Sequence, residues 1–203
     1  MTTTVAAIQT QRLRLVSMTP AFLEASLTGR SADASTLLGA DICPDWFDEQ
    51  WLMRLRLDDL RGDPSLQPWL LRAVILGETN TMIGHIGFHT APDPAYLRDF
   101  APGGIEIGYT IFATYRAQGY ATEACRGLMD WAHTQHHLNR FILSISPENT
   151  PSLRIAHRLG FIRIGEHVDP EDGIEYIFAH ILGEIEEEKE DEVKRQSAKG
   201  KSG

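Results

Sequence analysis

Polar and apolar residues alternate along Arg12-Leu13-Arg14-Leu15-Val16, the period of a strand with one buried face. Thr19-Pro20 then opens a helix, with threonine as cap and proline in the first turn. Between Asp45 and Leu60, the residues Trp46, Phe47, Trp51, Leu52, Leu55 and Leu60 recur at roughly helical spacing with charges between them. This predicts an amphipathic helix, in one piece or two, ended by Gly62-Asp63-Pro64. Trp69 to Leu76 and Thr81 to His89 read as strands joined through Gly77-Glu78-Thr79-Asn80. Ala91 to Gly104 carries three prolines and two glycines and reads as a loop, long enough to be a functional lid.

Gly104 to Phe112 is the next strand, with Ile105, Ile107, Tyr109 and Ile111 on one face and Glu106, Gly108, Thr110 and Phe112 on the other. The stripe Ala121, Ala124, Cys125, Leu128 and Ala132 predicts a core-facing helix after Gly119. Arg140 to Ser146 is a strand, and Thr150 is the expected cap of a short helix that has Pro151 at its first position and ends at Gly160. Phe161 to Ile164 and Ile174 to Ile181 close the series as two more strands. The order has no internal repeat and predicts an α/β (α+β) domain whose sheet is built largely from hairpins.

A chain of 203 residues accommodates one domain with a substantial core, here expected over 1–183. Residues 184–203 hold seven acidic and five basic side chains and almost nothing apolar, so they read as a solvated, flexible tail. No apolar run approaches the roughly 18 residues that span a bilayer, and Met1 to Ala7 lacks the regions of a signal peptide. Cys43 and Cys125 are too few for a disulfide framework or a cysteine metal site. The expectation is a cytoplasmic protein without a membrane partner. A net charge of −9 argues against nucleic acid and permits cationic acceptors such as amines.

The candidate chemistry centres on Gly108-Tyr109-Thr110-Ile111-Phe112-Ala113-Thr114-Tyr115-Arg116-Ala117-Gln118-Gly119-Tyr120-Ala121-Thr122-Glu123-Ala124, a strand, a basic turn and a helix start. The first amides of a helix have no partner within it and carry partial positive charge, so a turn of N–H groups in front of them suits a pyrophosphate. A plain glycine turn with a solvated Arg116 is the alternative. Neither Gly-x-x-x-x-Gly-Lys-Ser/Thr nor a Gly-x-Gly-x-x-Gly after a strand occurs.

Arg116-x-x-Gly119-x-Ala121 resembles motif A of the GNAT superfamily of acyl-CoA N-acyltransferases, Gln/Arg-x-x-Gly-x-Gly/Ala. The wider wording, with Gln11-Arg12-Leu13-Arg14-Leu15 before it and Asn149-x-x-Ser152 to Gly160-Phe161 after it, is similar to the branch of ribosomal-protein N-terminal (alanine) acetyltransferases. The likeness runs from about residue 9 to 182. It implies a mixed, mostly antiparallel sheet of six to seven strands flanked by about four helices, with a splayed strand pair at the cofactor site.

The resemblance also implies acetyl-CoA as co-substrate, its pyrophosphate on the backbone amides of Arg116, Ala117, Gln118, Gly119, Tyr120, Ala121 and Thr122. Thr110, Ile111 and Phe112 would hydrogen-bond the pantetheine arm, Asn149 would contact the pantetheine or acetyl region, and Ser152 would lie near the sulfur. Glu106, on the strand next to the thioester, is the candidate general base, with an ordinary paired carboxylate as the alternative. N–H groups near Ile111 and Phe112 are candidates to polarise the thioester carbonyl. Where many members carry a tyrosine acid, this chain has Ala156, which leaves Ser152 or unaided departure of the thiolate. Ala117 replaces a frequent glycine.

His133, His136 and His137 have metal-compatible spacing, yet histidines also favour helix C-termini and no carboxylate pattern accompanies them, so no metal is expected. His85 and His89 share a strand face and are candidates to line the acceptor pocket, which Trp46, Phe47 and Trp51 could roof. The leading expectation is an N-acetyltransferase that acts on a primary amine by direct attack. The amine could be a protein N-terminus, an aminoglycoside, a polyamine or an amino acid, and the protein a monomer or homodimer. An acyl-CoA sensor or an assembly module without turnover is the other class.

Overall fold

A computed structural model describes residues 5–169 and 173–182. The charged segment expected as a tail, 184–203, lies outside them. The sheet begins with the short β1 (Ile8–Gln9) against β2 (Leu13–Ser17), followed by β4 (Arg72–Leu76), β5 (Thr81–Phe88), β6 (Ile105–Ile111), β7 (Arg140–Ile145), β9 (Gly173–Ile181) and β8 (Ile162–Asp169). A two-residue β3 (Asp41–Ile42) runs parallel to β5. Every other pairing is antiparallel except β6 with β7. Among the described residues the sheet has nine strands against the expected six to seven, the two-residue β1 and β3 being the additions.

Among the described residues five α-helices, against the expected four or so, cover the two faces. On one side lie α1 (Pro20–Leu27), α2 (Ser31–Leu38) and α3 (Gln50–Gly62), whose buried side chains join Met18, Ala73, Ile75, Met82 and Phe112 in one core. On the other lie α4 (Tyr120–His136) and α5 (Thr150–Arg158), packed with Ile105, Ile107, Ile111 and Phe141 in a second core. The alternation predicted along β6 therefore holds: its isoleucines serve one core and Phe112 the other.

Local signals set most boundaries. Thr19 caps α1 by accepting the Phe22 amide, with Pro20 in the first turn. The amphipathic stretch divides into a 3-10 turn (Pro44–Asp48) and α3. Trp46 in that turn is fully buried, stacks on Phe22 and donates Nε1–H to Ser26 Oγ at 3.0 Å, so it is core and not a roof. Trp51 is exposed. The cap of α5 is Asn149, whose Oδ1 accepts the Ser152 amide at 3.2 Å, and Thr150 is already helical. Helix α2 carries no strong periodic signal because only Ala34 and Leu38 reach the core.

Arg72 is buried without a carboxylate. Its guanidinium donates to Pro68 O at 2.9 Å and Ala6 O at 3.3 Å and lies over the Trp131 ring, and burial lowers its pKa to about 10. His136 packs on Trp69 and Trp131 at the end of α4. Among the described residues, no group of three or more His, Cys, Asp or Glu is placed to hold a metal, and no helix is long and apolar enough to cross a membrane.

Strands β5 and β6 approach closely at Gly84, where an added Cβ would stand 2.2 Å from the Thr110 carbonyl oxygen. Gly84→Ala is expected to push β6 outward and to cost about 1–3 kcal/mol, read as a lower midpoint in thermal or urea unfolding. Unchanged stability would contradict this contact.

Candidate active site

Strands β6 and β7 pair only at Ile105 with Phe141 and Glu106 with Ile142, then part. The free edge of β6 follows from its other neighbour. In an antiparallel pair, alternate residues turn both backbone groups toward the partner. His89 N–H donates to Glu106 O at 3.0 Å and Phe112 N–H donates to Ile83 O at 2.9 Å, so the even-numbered residues of β6 face β5. Ile107 N–H belongs to the last bridge to β7, and the N–H and C=O groups of Tyr109 and Ile111 face the opening. The Ile111 carbonyl confirms this by accepting Arg116 Nε–H at 2.8 Å.

This corrects two sequence expectations. Thr110 lines the cleft, but its backbone pairs with His85 of β5. Phe112 is buried in the opposite core, and its N–H and C=O are taken by Ile83 and Tyr115. Neither presents a backbone group to a ligand, and Phe112 N–H is not an oxyanion donor. Ile111 does present one, joined by Tyr109, which the sequence reading missed. The strand parity was visible there; which parity faced outward was not.

Past Ile111 the chain makes a 3-10 turn (Ala113–Tyr115) and reaches α4 through Arg116–Gly119. Gly119 sits at the helix N-cap with φ +84°, and Ala117 adopts φ +62°, a left-handed conformation that disfavours a side chain. The alanine therefore strains the turn more than its small size implies. Among the described residues nothing accepts from the amides of Ala117 through Thr122, while Arg116 N–H donates to Ala113 O. These free amides converge at the positive end of α4.

A cleft of about 550 Å³ joins these parts. It is lined by Thr110, Ile111, Arg116, Ala117, Gly119, Tyr120, Ala121 and Thr122 on one side and by Asn149 and Ser152 on the other. Gln118 is not among the lining residues. Arg154 and Arg158 of α5 join Arg116 there, a cationic set that the sequence reading did not single out. Tyr109 also lines the cleft; its hydroxyl is shut off from solvent with no partner at bonding distance. Burial raises the Tyr109 pKa, reinforced by Cys125 and opposed by nearby Ser152. Ala156 lies fully buried in the core beneath this helix face.

The turn is held from the N-terminal segment. Glu123 of α4 accepts from Thr10 Oγ1, from Arg12 N and from Arg12 Nε, each at 2.7 Å. Arg12 also donates to Gln118 O at 3.1 Å and lies over the Tyr120 ring. Burial alone would raise the Glu123 pKa, but the Thr10 and Arg12 contacts outweigh it and hold the carboxyl below its ordinary value.

Glu106 is 5% exposed. Its Oε2 accepts the Tyr96 hydroxyl at 2.8 Å and lies 3.4 Å from His89 Nδ1. Burial raises its pKa, but His89, Ser144 and Tyr96 together carry it below the usual carboxylate range. Burial first, then the charge of Glu106, pushes the Tyr96 hydroxyl up. Tyr96 comes from the 91–104 loop, which Asp93 clasps by accepting Gly103 N–H and Arg98 Nε–H, both at 2.9 Å. Leu97 and Ala101 anchor that loop on Ile142 and Ile177. The expected lid is thus an ordered cover over Glu106. His85 is buried against Trp46 and Phe112, and its Nε2 lies 3.7 Å from Glu49 Oε1, an electrostatic contact that draws the Glu49 carboxyl down against its burial.

A parted pair of strands, an amide-lined turn before a helix and a basic cleft define a protein built to hold an extended phosphate-bearing ligand. Residues 12–162 match the family model described as "Acetyltransferase (GNAT) domain", and the chain belongs to the GNAT acetyltransferase family. It is 34% identical over 93 residues to the "Uncharacterized N-acetyltransferase p20" of Bacillus licheniformis, a match covering 46% of this chain and 48% of p20. The match thus spans about half the length of that relative. The fold is similar to a GNAT-family acetyltransferase from Bacillus anthracis (TM-score 0.57, 24% identity, 87% of this chain and 98% of that one). It is also similar to RimL, a ribosomal L7/L12 α-N-protein acetyltransferase solved with coenzyme A (TM-score 0.61, 18% identity, 87% and 98%).

Two outcomes test the turn. Because the Glu123 carboxyl is held low in the folded protein, its stabilisation is present above the ordinary carboxylate pKa and lost as pH falls through the folded value. Glu123→Gln should therefore lower stability by about 1–2 kcal/mol at neutral pH and flatten the acid limb of stability against pH. Ala117→Gly should raise stability by about 0.5–1 kcal/mol by relieving the left-handed alanine, measured by chemical denaturation.

Proposed function

We propose that this protein is an acetyl-CoA-dependent N-acetyltransferase that moves the acetyl group to a primary amine by direct attack in a ternary complex. The observation that carries this reading is the run of unpaired amides from Ala117 to Thr122, in one cleft with the open β6 edge at Ile111 and Tyr109. The residues present fit the co-substrate: amides and a helix N-terminus for the pyrophosphate, guanidiniums of Arg116, Arg154 and Arg158 for further phosphate charge, and an open strand edge for the amide-bearing arm.

Acetyl-CoA supplies an activated acetyl thioester. The protein orients it and deals with protons. A protonated amine is no nucleophile, and Glu106, with the imidazole beside it, forms the group that removes the proton. Amides of Tyr109 and Ile111 are the donors placed to polarise the thioester carbonyl. Ser152, beside the buried Tyr109 hydroxyl, is the group assigned to the departing sulfur. Relatives named as ribosomal N-acetyltransferases, such as RimL, make a protein N-terminus the acceptor class to test first, ahead of small-molecule amines.

Thiol release from acetyl-CoA, measured with peptides of differing N-terminal residue and with polyamines, aminoglycosides and amino acids, tests this function. At least one amine should support release. Gly119→Trp should abolish coenzyme A binding in calorimetry. Tight binding without release from any amine would leave a sensor in place of an enzyme, and binding unaffected by Gly119→Trp would remove the site.

A further inference from the structure

We infer that His89 is the group that meets the acceptor amine, with Nε2 as the proton acceptor and Glu106 as the residue that positions it. This rests on the acetyl-transfer reading and assigns its base.

Three observations separate the two residues. Glu106 is almost sealed, and its Oε2 already faces the Tyr96 hydroxyl and His89 Nδ1, with Ser144 adjacent, so an ammonium has no direct approach to it. The His89 side chain is 44% exposed. Its backbone is fixed on both sides, by N–H donation to Glu106 O and by Arg56 Nη1 on its carbonyl at 2.9 Å, with Arg56 held by Asp59.

The ring orientation decides the chemistry. Nδ1 faces the Glu106 carboxylate, which fixes the proton on Nδ1 and leaves the lone pair on Nε2. That nitrogen lies directly over Gly108, so close that a Cβ there would stand 2.5 Å from it. Gly108 lies just past the last β6–β7 pair, at Glu106, where the strands begin to part. The missing side chain is therefore the space that the imidazole occupies, on the face of β6 that Gly108 shares with Glu106. A carboxylate behind an imidazole whose far nitrogen faces the reacting group is the arrangement by which acyl-transfer sites orient a base and stabilise its cation.

In the step this supports, the ammonium gives one proton to Nε2 and becomes the free amine. The N–C bond forms, the C–S bond breaks with its electron pair on sulfur, and the second nitrogen proton ends on the thiolate. The proton on Nε2 then passes to water. The charged groups that face His89 are Glu106 from β6, Arg56 and Asp59 from α3, and, through Glu106, the Tyr96 hydroxyl of the loop.

The experiment pairs kinetics with spectroscopy on the full chain, using acetyl-CoA and whichever amine of the panel above the wild type acetylates. His89→Ala should lower kcat by about 100-fold or more, keep coenzyme A affinity, and regain rate with added imidazole. Glu106→Gln should retain part of the rate. In nitrogen-15 spectra of histidine-labelled protein, the wild type should show His89 protonated at Nδ1, and Glu106→Gln should lose that preference. Wild-type turnover by His89→Ala would overturn the assignment, as would loss that imidazole does not restore alongside an inactive Glu106→Gln. A wild type that turns over no amine would instead overturn acetyl transfer itself.

Discussion

The site depends on one constraint: a backbone N–H or C=O that leaves a sheet must find another partner. Strand β6 is fully paired to β5 but separates from β7 after the bridge at Glu106, so Tyr109 and Ile111 turn donors and acceptors into the parted strands. The chain answers one of these itself, with Arg116 on the Ile111 carbonyl. The rest form an open strand edge, with donors and acceptors spaced as they are toward another strand. After the paired amides of Phe112, Tyr115 and Arg116, unpaired ones recur at Ala117–Thr122, and edge and turn line one cleft.

Such a surface needs rigid support, and the support comes from distant segments. Glu123 ties the first turn of α4 to Thr10 and Arg12, and Arg12 reaches back to Gln118. On the other side of β6, the 91–104 loop is closed by Asp93 and anchored by Leu97, and it sets Tyr96 against Glu106. Low polarity around Glu106 would keep its carboxyl neutral; three polar neighbours reverse that and keep it ionised. A buried carboxylate of this kind is better suited to hold an imidazole than to receive a substrate.

Much of this was legible in the chain. The two faces of β6, the stripe of α4 and the cap and proline of α1 follow from local periodicity and stereochemistry, and they stand in the structure within a few residues. The basic glycine turn was legible as a run of free amides because helix ends leave amides unpaired wherever they occur. Less legible was α2, whose weak pattern buries only Ala34 and Leu38, and the cap of α5, where Asn149 takes the role its neighbour Thr150 was expected to fill. Trp46 was ambiguous, since a periodic aromatic residue fits a core and a pocket wall equally well.

The sequence by itself determined the elements, their order and the turn that suits a pyrophosphate, because each depends on neighbours within a few residues. Only the tertiary structure decided which edge of β6 is free, since that parity is set by its register with β5, and of the expected Thr110, Ile111 and Phe112 it left Ile111 on the open edge, joined by Tyr109. It also decided that Glu106 is sealed behind His89 and Tyr96, and that Arg12 clasps Glu123 across 111 positions of chain. Burial and electrostatics depend on distances in space, and those are settled only when strands and loops far apart in sequence are packed together.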